Sequence, residues 1–201
     1  TSDNLSVSSF TIGAVKPALV QVTAVPTLTN DNTPNYTFFS TLPGTINYGG
    51  DCDSDNNTAV AGNNTITFDA LADGTYNNCT ISVDNNSNTS DNLSVSSFTI
   101  DITTPTLSSV TIASNNSVST LAKTGDNITL SITSAEAIQT PSVSIAGQTA
   151  TVTGSGTSWS ATYKMTNSNS DNVSVSLNIS FSDLAGNAGS AVTSTTNGSA
   201  V

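Results

Sequence analysis

At 201 residues the chain carries three Lys, no Arg, no His and a formal charge of −11, so it lacks the cations that neutralise nucleic-acid phosphates or hold an anionic membrane surface. Without His there is no His-based triad or His zinc site, and two Cys cannot complete a four-cysteine site. Hydrophobic residues make up 35% and fall in ones and twos, so no run approaches the roughly 18 apolar residues of a membrane helix.

Residues 1–12 read TSDNLSVSSFTI, and the same twelve letters return unchanged at 89–100. Their apolar face is Leu5, Val7, Phe10 and Ile12 in the first copy. Such a strand cannot stand alone in water and needs a sheet to join. The chain begins at Thr1 without a signal-peptide pattern, which reads as a processed chain or a piece of a longer one.

Ser, Thr and Asn number 33, 34 and 24, yet the apolar residues between them alternate with polar ones, the mark of half-buried strands. In the first module the alternation predicts strands at 18–22, 36–39, 45–48, 65–68 and 79–83. Turn signals separate them at Pro43-Gly44, Gly49-Gly50, Asp73-Gly74 and the Asn-rich run 85–88. The module closes on Leu93, Val95, Phe98 and Ile100. Their parity changes between Val95 and Phe98, which predicts a β-bulge at Ser96-Ser97. Pro105 marks a short linker. The second module has expected strands at 110–112, 128–132, 143–145, 149–152, 159–165, 173–181 and 191–193. The nine-residue alternation at 173–181 predicts a central strand. The best helical turn, 134–137, is weak. The fold class is therefore all-β, two tandem β-sandwiches of about seven antiparallel strands each, with residues 13–102 as the first domain and 103–201 as the second.

Four stretches in the second module resemble the bacterial Ig-like repeats of very large surface proteins: TGDNITL from Thr124, IAGQ from Ile145, GTSW from Gly156 and DLAGN from Asp183. In the first module LADGTY from Leu71 resembles the approach to the sixth strand of such repeats, with Tyr76 near the corner where Ig-like folds often place a Tyr. The resemblance implies Ig-like sandwiches and an extracellular or cell-surface location. In an Ig-like first module Cys52 and Cys79 are placed to form a disulfide, which also implies an oxidising compartment; two buried free thiols are the alternative.

Asp51, Asp53 and Asp55 alternate in a loop, a spacing that can wrap calcium with oxygen ligands. The sixth and twelfth loop positions, Asn56 and Gly62, do not match an EF-hand, and a solvated acidic loop is the other reading. Calcium near the junction would draw on Asp101 and Asp183. Lys123, Lys164 and Glu136 make a self-formed Lys–Asn isopeptide bond conceivable. Trp159, the one Trp, is a core residue or a sugar platform. Thirteen Asn-x-Ser/Thr triplets occur, a modest excess over the roughly eight that this composition gives by chance; glycosylation and accident both account for them.

Paired carboxylates can serve glycoside hydrolysis, but 5% aromatics leave few sugar platforms, and no enzyme is expected. The expected role is structural: a stalk or filament segment built from tandem or strand-exchanged Ig-like domains. Its partners would be copies of itself or adjacent modules, with no nucleic acid and no direct membrane insertion. No cofactor is certain and calcium is possible. An adhesive module that grips a glycan or protein with its end loops is the alternative. Residues 1–12 are then either the closing strand of a preceding module or a donor strand for a neighbour.

Overall fold

A computed structural model describes residues 15–86, 88–169 and 173–201. The first copy of the duplicated segment, with Leu5, Val7, Phe10 and Ile12, lies outside the described residues. Every regular element among the described residues is a β-strand. The chain divides into two compact units. One holds Asn32–Thr99 and the described residues before Leu28; the other holds Leu28–Asp31 and Ile100–Val201.

The strands up to the division are β1 (Leu19–Thr23), β2 (Leu28–Thr29), β3 (Asn35–Ser40), β4 (Gly44–Gly49), β5 (Thr58–Ala59), β6 (Gly62–Thr67), β7 (Gly74–Tyr76), β8 (Thr80–Asn85), β9 (Asn88–Thr89), β10 (Leu93–Ser94) and β11 (Phe98–Ile100). In the first unit one antiparallel sheet has the order β1-β3-β6 and another β10-β8-β4-β5. The alternation in β3 shows why they stack: Tyr36, Phe38 and Ser40 are buried, and Asn35 and Phe39 face outward. Five rings run through the core in sequence, Phe38, Tyr36, Phe68, Phe98 and Tyr76, with neighbouring centroids 5.3 to 6.4 Å apart. The Tyr76 hydroxyl donates to the Ala72 carbonyl at 2.9 Å, the upstream backbone bond of a tyrosine corner. Two Asn between Tyr76 and Cys79 do not prevent that bond.

The closing strand corrects the expected bulge. Leu93 and Ser94 pair with Ile81 and Thr80, and the Val95 N–H donates to the Cys79 carbonyl. After Ser96-Ser97 the chain has left β8: β11 lies beside β7, and the Thr99 N–H donates to the Thr27 carbonyl. The parity change is thus a departure from the β8 sheet into a separate three-stranded sheet of order β2-β11-β7. Val95, Phe98 and Ile100 are all buried despite the change of parity.

The second unit contains β12 (Leu107–Ser114), β13 (Asn127–Ser134), β14 (Ser142–Ile145), β15 (Gln148–Thr149), β16 (Thr151–Ser155), β17 (Ser158–Lys164) and β18 (Leu177–Ser180). Its sheets have the orders β12-β13-β17-β16 and β15-β14-β18. Ile128, Leu130 and Ile132 from β13 meet Val143 and Ile145 from β14, Trp159 and Ala161 from β17, and Ile179 in one core. A two-residue turn with positive φ at Ala146 and Gly147 joins β14 to β15, the twist a tight hairpin needs. The expected strand at 149–152 is two strands on different sheets, with buried Ala150 at the crossing. The expected strand at 173–181 is regular only over β18, and Val173 is exposed. β18 has β14 on one side and bonds to Val192 in both directions on the other. The expected strand at 191–193 is reduced to that bridge.

Candidate functional site

Three features bear on function: the closing strand, the disulfide loop and an acidic cluster in the second unit.

Residues 89–100 show what the duplicated sequence does when it has a sheet. Its first half adds to the edge of β8, and its second half, beside β7, buries Phe98 and Ile100. Its remaining flank faces the chain around β1. The Lys16 ammonium meets both Asp91 oxygens at 2.6 and 2.7 Å, and the Gln21 amide bonds Ser96. Ser90, buried, takes the Val83 N–H on its hydroxyl. Each of these groups has its counterpart 88 positions earlier, in Ser2, Asp3 and Ser8.

Cys52 and Cys79 are bonded and buried, joining the start of β8 to the loop after β4. The loop between Gly49 and Thr58 is held at Asp51, Cys52, Asp53, Ser54 and Asn56. Asp51 Oδ2 accepts from the Asn78 amide at 2.9 Å, and Asp53 Oδ1 accepts the Ser54 N–H at 2.8 Å. The Ser54 hydroxyl donates to the Thr67 carbonyl, and the Tyr48 hydroxyl to that of Asn56. Burial raises the Tyr48 pKa, and the nearby carboxylates of Asp53 and Asp69 raise it further, against a lowering bond with Ser54. The Asp51, Asp53 and Asp55 carboxylates do not converge: among the described residues the acidic group with mutually close oxygens is Asp101, Glu136 and Asp183.

That trio has one candidate oxygen from each residue, all within 4.8 Å of one another. Asp183 is 1% exposed and anchors the DLAGN loop. Its Oδ1 accepts the N–H groups of Gly186 and Asn187 at 2.7 and 2.8 Å, and its Oδ2 accepts the Asn187 side-chain amide at 2.8 Å. The same Asn187 amide donates to the Asp101 carbonyl at 2.7 Å. Burial, then repulsion from Asp101 and Asp183, raises the Glu136 pKa. Oxygen ligands of this kind suit a hard cation, but the bonds to Asp183 equally describe a self-capped loop. Asp101 was legible in the sequence as an acid near the junction and Asp183 as an acid in a loop. Glu136 was missed as their partner, and its signal was being the single Glu beside thirteen Asp.

Other expectations resolve simply. Trp159 is 9% exposed and its indole N–H donates to the Gly156 carbonyl at 3.1 Å, so it is a core residue. Lys164 pairs across the sheet with Asn127 at one end of β13, and Glu136 lies beyond the other end. The intervening strand, at about 3.3 Å per residue, keeps Glu136 far too distant to promote a Lys164–Asn127 bond. An open groove in the second unit is lined by Leu121, Lys123, Met165, Val173 and Val175 among others.

The two-sheet arrangement defines an Ig-like β-sandwich fold. No protein-family model matches the chain, and no curated protein matches it. Among solved structures it is similar to the fibronectin(III)-like modules of Clostridium thermocellum CbhA, at 10% identity and a TM-score of 0.39 over 89% of this chain and 92% of that one.

Proposed function

We infer that the chain is a non-catalytic structural segment of an extracellular surface protein, a stalk or filament part in which Ig-like modules are joined through the strand at residues 1–12. The observation that carries this reading is the identity of 1–12 with 89–100, a segment whose Val95, Phe98 and Ile100 side chains are buried and whose Leu93 is half-buried. The first copy has the same need for a sheet. The slot at 89–100 is filled by the chain itself, so the first copy serves another module of this type or exchanges with its twin in a second chain. The disulfide supports an oxidising, extracellular setting. The bacterial surface-repeat resemblance points the same way, and the lack of His and Arg supports the non-catalytic reading.

The test is assembly. The full chain and a chain lacking residues 1–12 are compared by sedimentation and electron microscopy, with Phe10→Asp as a point variant. Loss of self-association in both altered chains is the expected result. Equal assembly in all three refutes strand joining.

A further inference from the structure

On the outward face of the β1-β3-β6 sheet, Val20, Phe39 and Asn63 form one cross-strand row. Val20 is registered opposite Phe39, and Phe39 opposite Asn63. Directly opposed side chains on one face have Cβ atoms about 4.5–5.5 Å apart. Phe39 is 39% exposed and Val20 60%, and Phe39 is the one exposed large aromatic among the described residues. Apolar residues on a solvent face are normal singly; an aromatic beside an aliphatic in register makes a small apolar strip that a bound sugar can cover. Asn63 begins an Asn-x-Thr triplet with Thr65, and both side chains point outward on β6, an edge strand. The inward neighbour Asn64 is buried and fully bonded to Val60 and Gly62. Two other triplet asparagines on this unit have their amides engaged: both Asn78 amide atoms bind Asp51, and Asn35 Oδ1 accepts the Thr67 hydroxyl. The Asn63 side chain makes no hydrogen bond among the described residues.

We propose that Asn63 is an N-glycosylation site whose first sugar lies over the Phe39 ring and the Val20 methyls. The donor would be a polyprenyl-phosphate-linked saccharide, and the catalyst a membrane-bound oligosaccharyltransferase that reads the Thr65 hydroxyl before the sheet closes, since in the fold that hydroxyl shares a hydrogen bond with Thr37 at 2.9 Å. The Asn63 Nδ2–C1 bond forms as the C1–O bond to the lipid phosphate breaks. The electron pair leaves on the phosphate, and one amide proton passes to a basic group of the transferase. The apolar face of a pyranose then shields the row that the sheet leaves open, as aromatic rings do for sugars in general. The proposal needs a secreted chain but not strand joining, so its failure would leave the assembly test untouched.

The experiment takes the protein from its native source and maps glycopeptides by mass spectrometry with fragmentation that keeps the sugar attached. The expected result is a saccharide on Asn63, absent from Asn63→Gln and from Thr65→Val. Thermal melts of the first unit follow. The glycosylated form should melt about 2–6 °C above Asn63→Gln, the scale of a weak contact in a domain this size, and in a Phe39→Ala background that gap should vanish. An unmodified Asn63 overturns the proposal. So does a gap that survives Phe39→Ala, or a Phe39→Asp variant that dissolves a self-associated form, which would assign the patch to a second copy.

Discussion

Gln21 and Ser96 are joined by three hydrogen bonds. The Ser96 N–H and hydroxyl both donate to Gln21 Oε1 at 3.1 Å, and Gln21 Nε2 donates to the Ser96 hydroxyl oxygen at 2.8 Å. A side-chain amide thus replaces a backbone amide at the flank of the closing strand. Lys16 and Asp91 share the same offset in sequence, so the chain before and within β1 runs alongside 91–96 in the same direction. Gln21→Ala should cost the first unit about 0.5–1.5 kcal/mol, the net worth of the lost bonds, because Ser96 is exposed and water meets its freed N–H. Lys16→Ala should cost less than about 1 kcal/mol, because that pair is exposed to solvent and screened. Urea melts followed by the fluorescence of the first unit's tyrosines compare the two. Equal losses would show that the Gln21 amide does not pin the strand.

How much of this was legible follows from what alternation records. Period-two runs expose which face is buried, and they located β3, β4, β8, β13 and β17 because each has one face on a core. They carry no information about which sheet a strand joins. The crossings at Ser96-Ser97 and at Ala150 therefore read as a bulge and as one continuous strand. Val173 and Val175 continued the rhythm of β18 without the ladder, since alternation persists where pairing stops. The acidic trio was hidden for a different reason: Asp101, Glu136 and Asp183 are far apart in sequence, and only the fold brings them together.

The Cys52–Cys79 bond closes a span of 27 residues. In the chain-entropy model a loop of that size stabilises by about 3.5 kcal/mol. A Cys52→Ser/Cys79→Ser double variant should lower the melting temperature of the first unit and leave that of the second unchanged. Differential scanning calorimetry with and without a thiol reductant checks this. A shift in both transitions, or in neither, contradicts the assignment of the bond's effect to one unit.

The acidic trio predicts a pH dependence with a definite sign. Glu136 holds its proton to higher pH in the folded chain than at its ordinary value of 4.5, because burial and then Asp101 and Asp183 disfavour its charge. The folded state therefore binds that proton more tightly than the unfolded one. This contribution is full below the unfolded value and is lost as pH rises through the raised folded value. Asp126 runs the other way: bonds from the Asn116 amide and the Lys123 N–H lower its pKa, so its contribution is lost as pH falls below 3.8. Glu136→Gln should raise the second unit's stability at pH 7 and flatten its decline above pH 4.5. Denaturation midpoints from pH 4 to 8 measure both; a variant less stable than the parent at pH 7 would mean the carboxylate holds the loop together.

Tyr36 supplies the last prediction. Its ring is fully buried between Phe38 and Phe68, and its hydroxyl has no hydrogen-bond partner among the described residues. A buried hydroxyl without a partner has given up its bonds to water for nothing, at a cost of about 1–3 kcal/mol. The phenylalanine ring keeps the stacking and removes that cost, so Tyr36→Phe should stabilise the first unit by about 1–2 kcal/mol. The same burial pushes the phenol up to about 12. A group with its folded pKa raised contributes stability that is present below the ordinary value of 10 and lost as pH rises toward 12. The Tyr36 phenol should therefore ionise late in an ultraviolet titration, and the amplitude of that late step should fall in Tyr36→Phe, leaving the contribution of Tyr48, whose pKa is also raised by burial. A destabilised Tyr36→Phe variant would show that the hydroxyl has found a partner in solution.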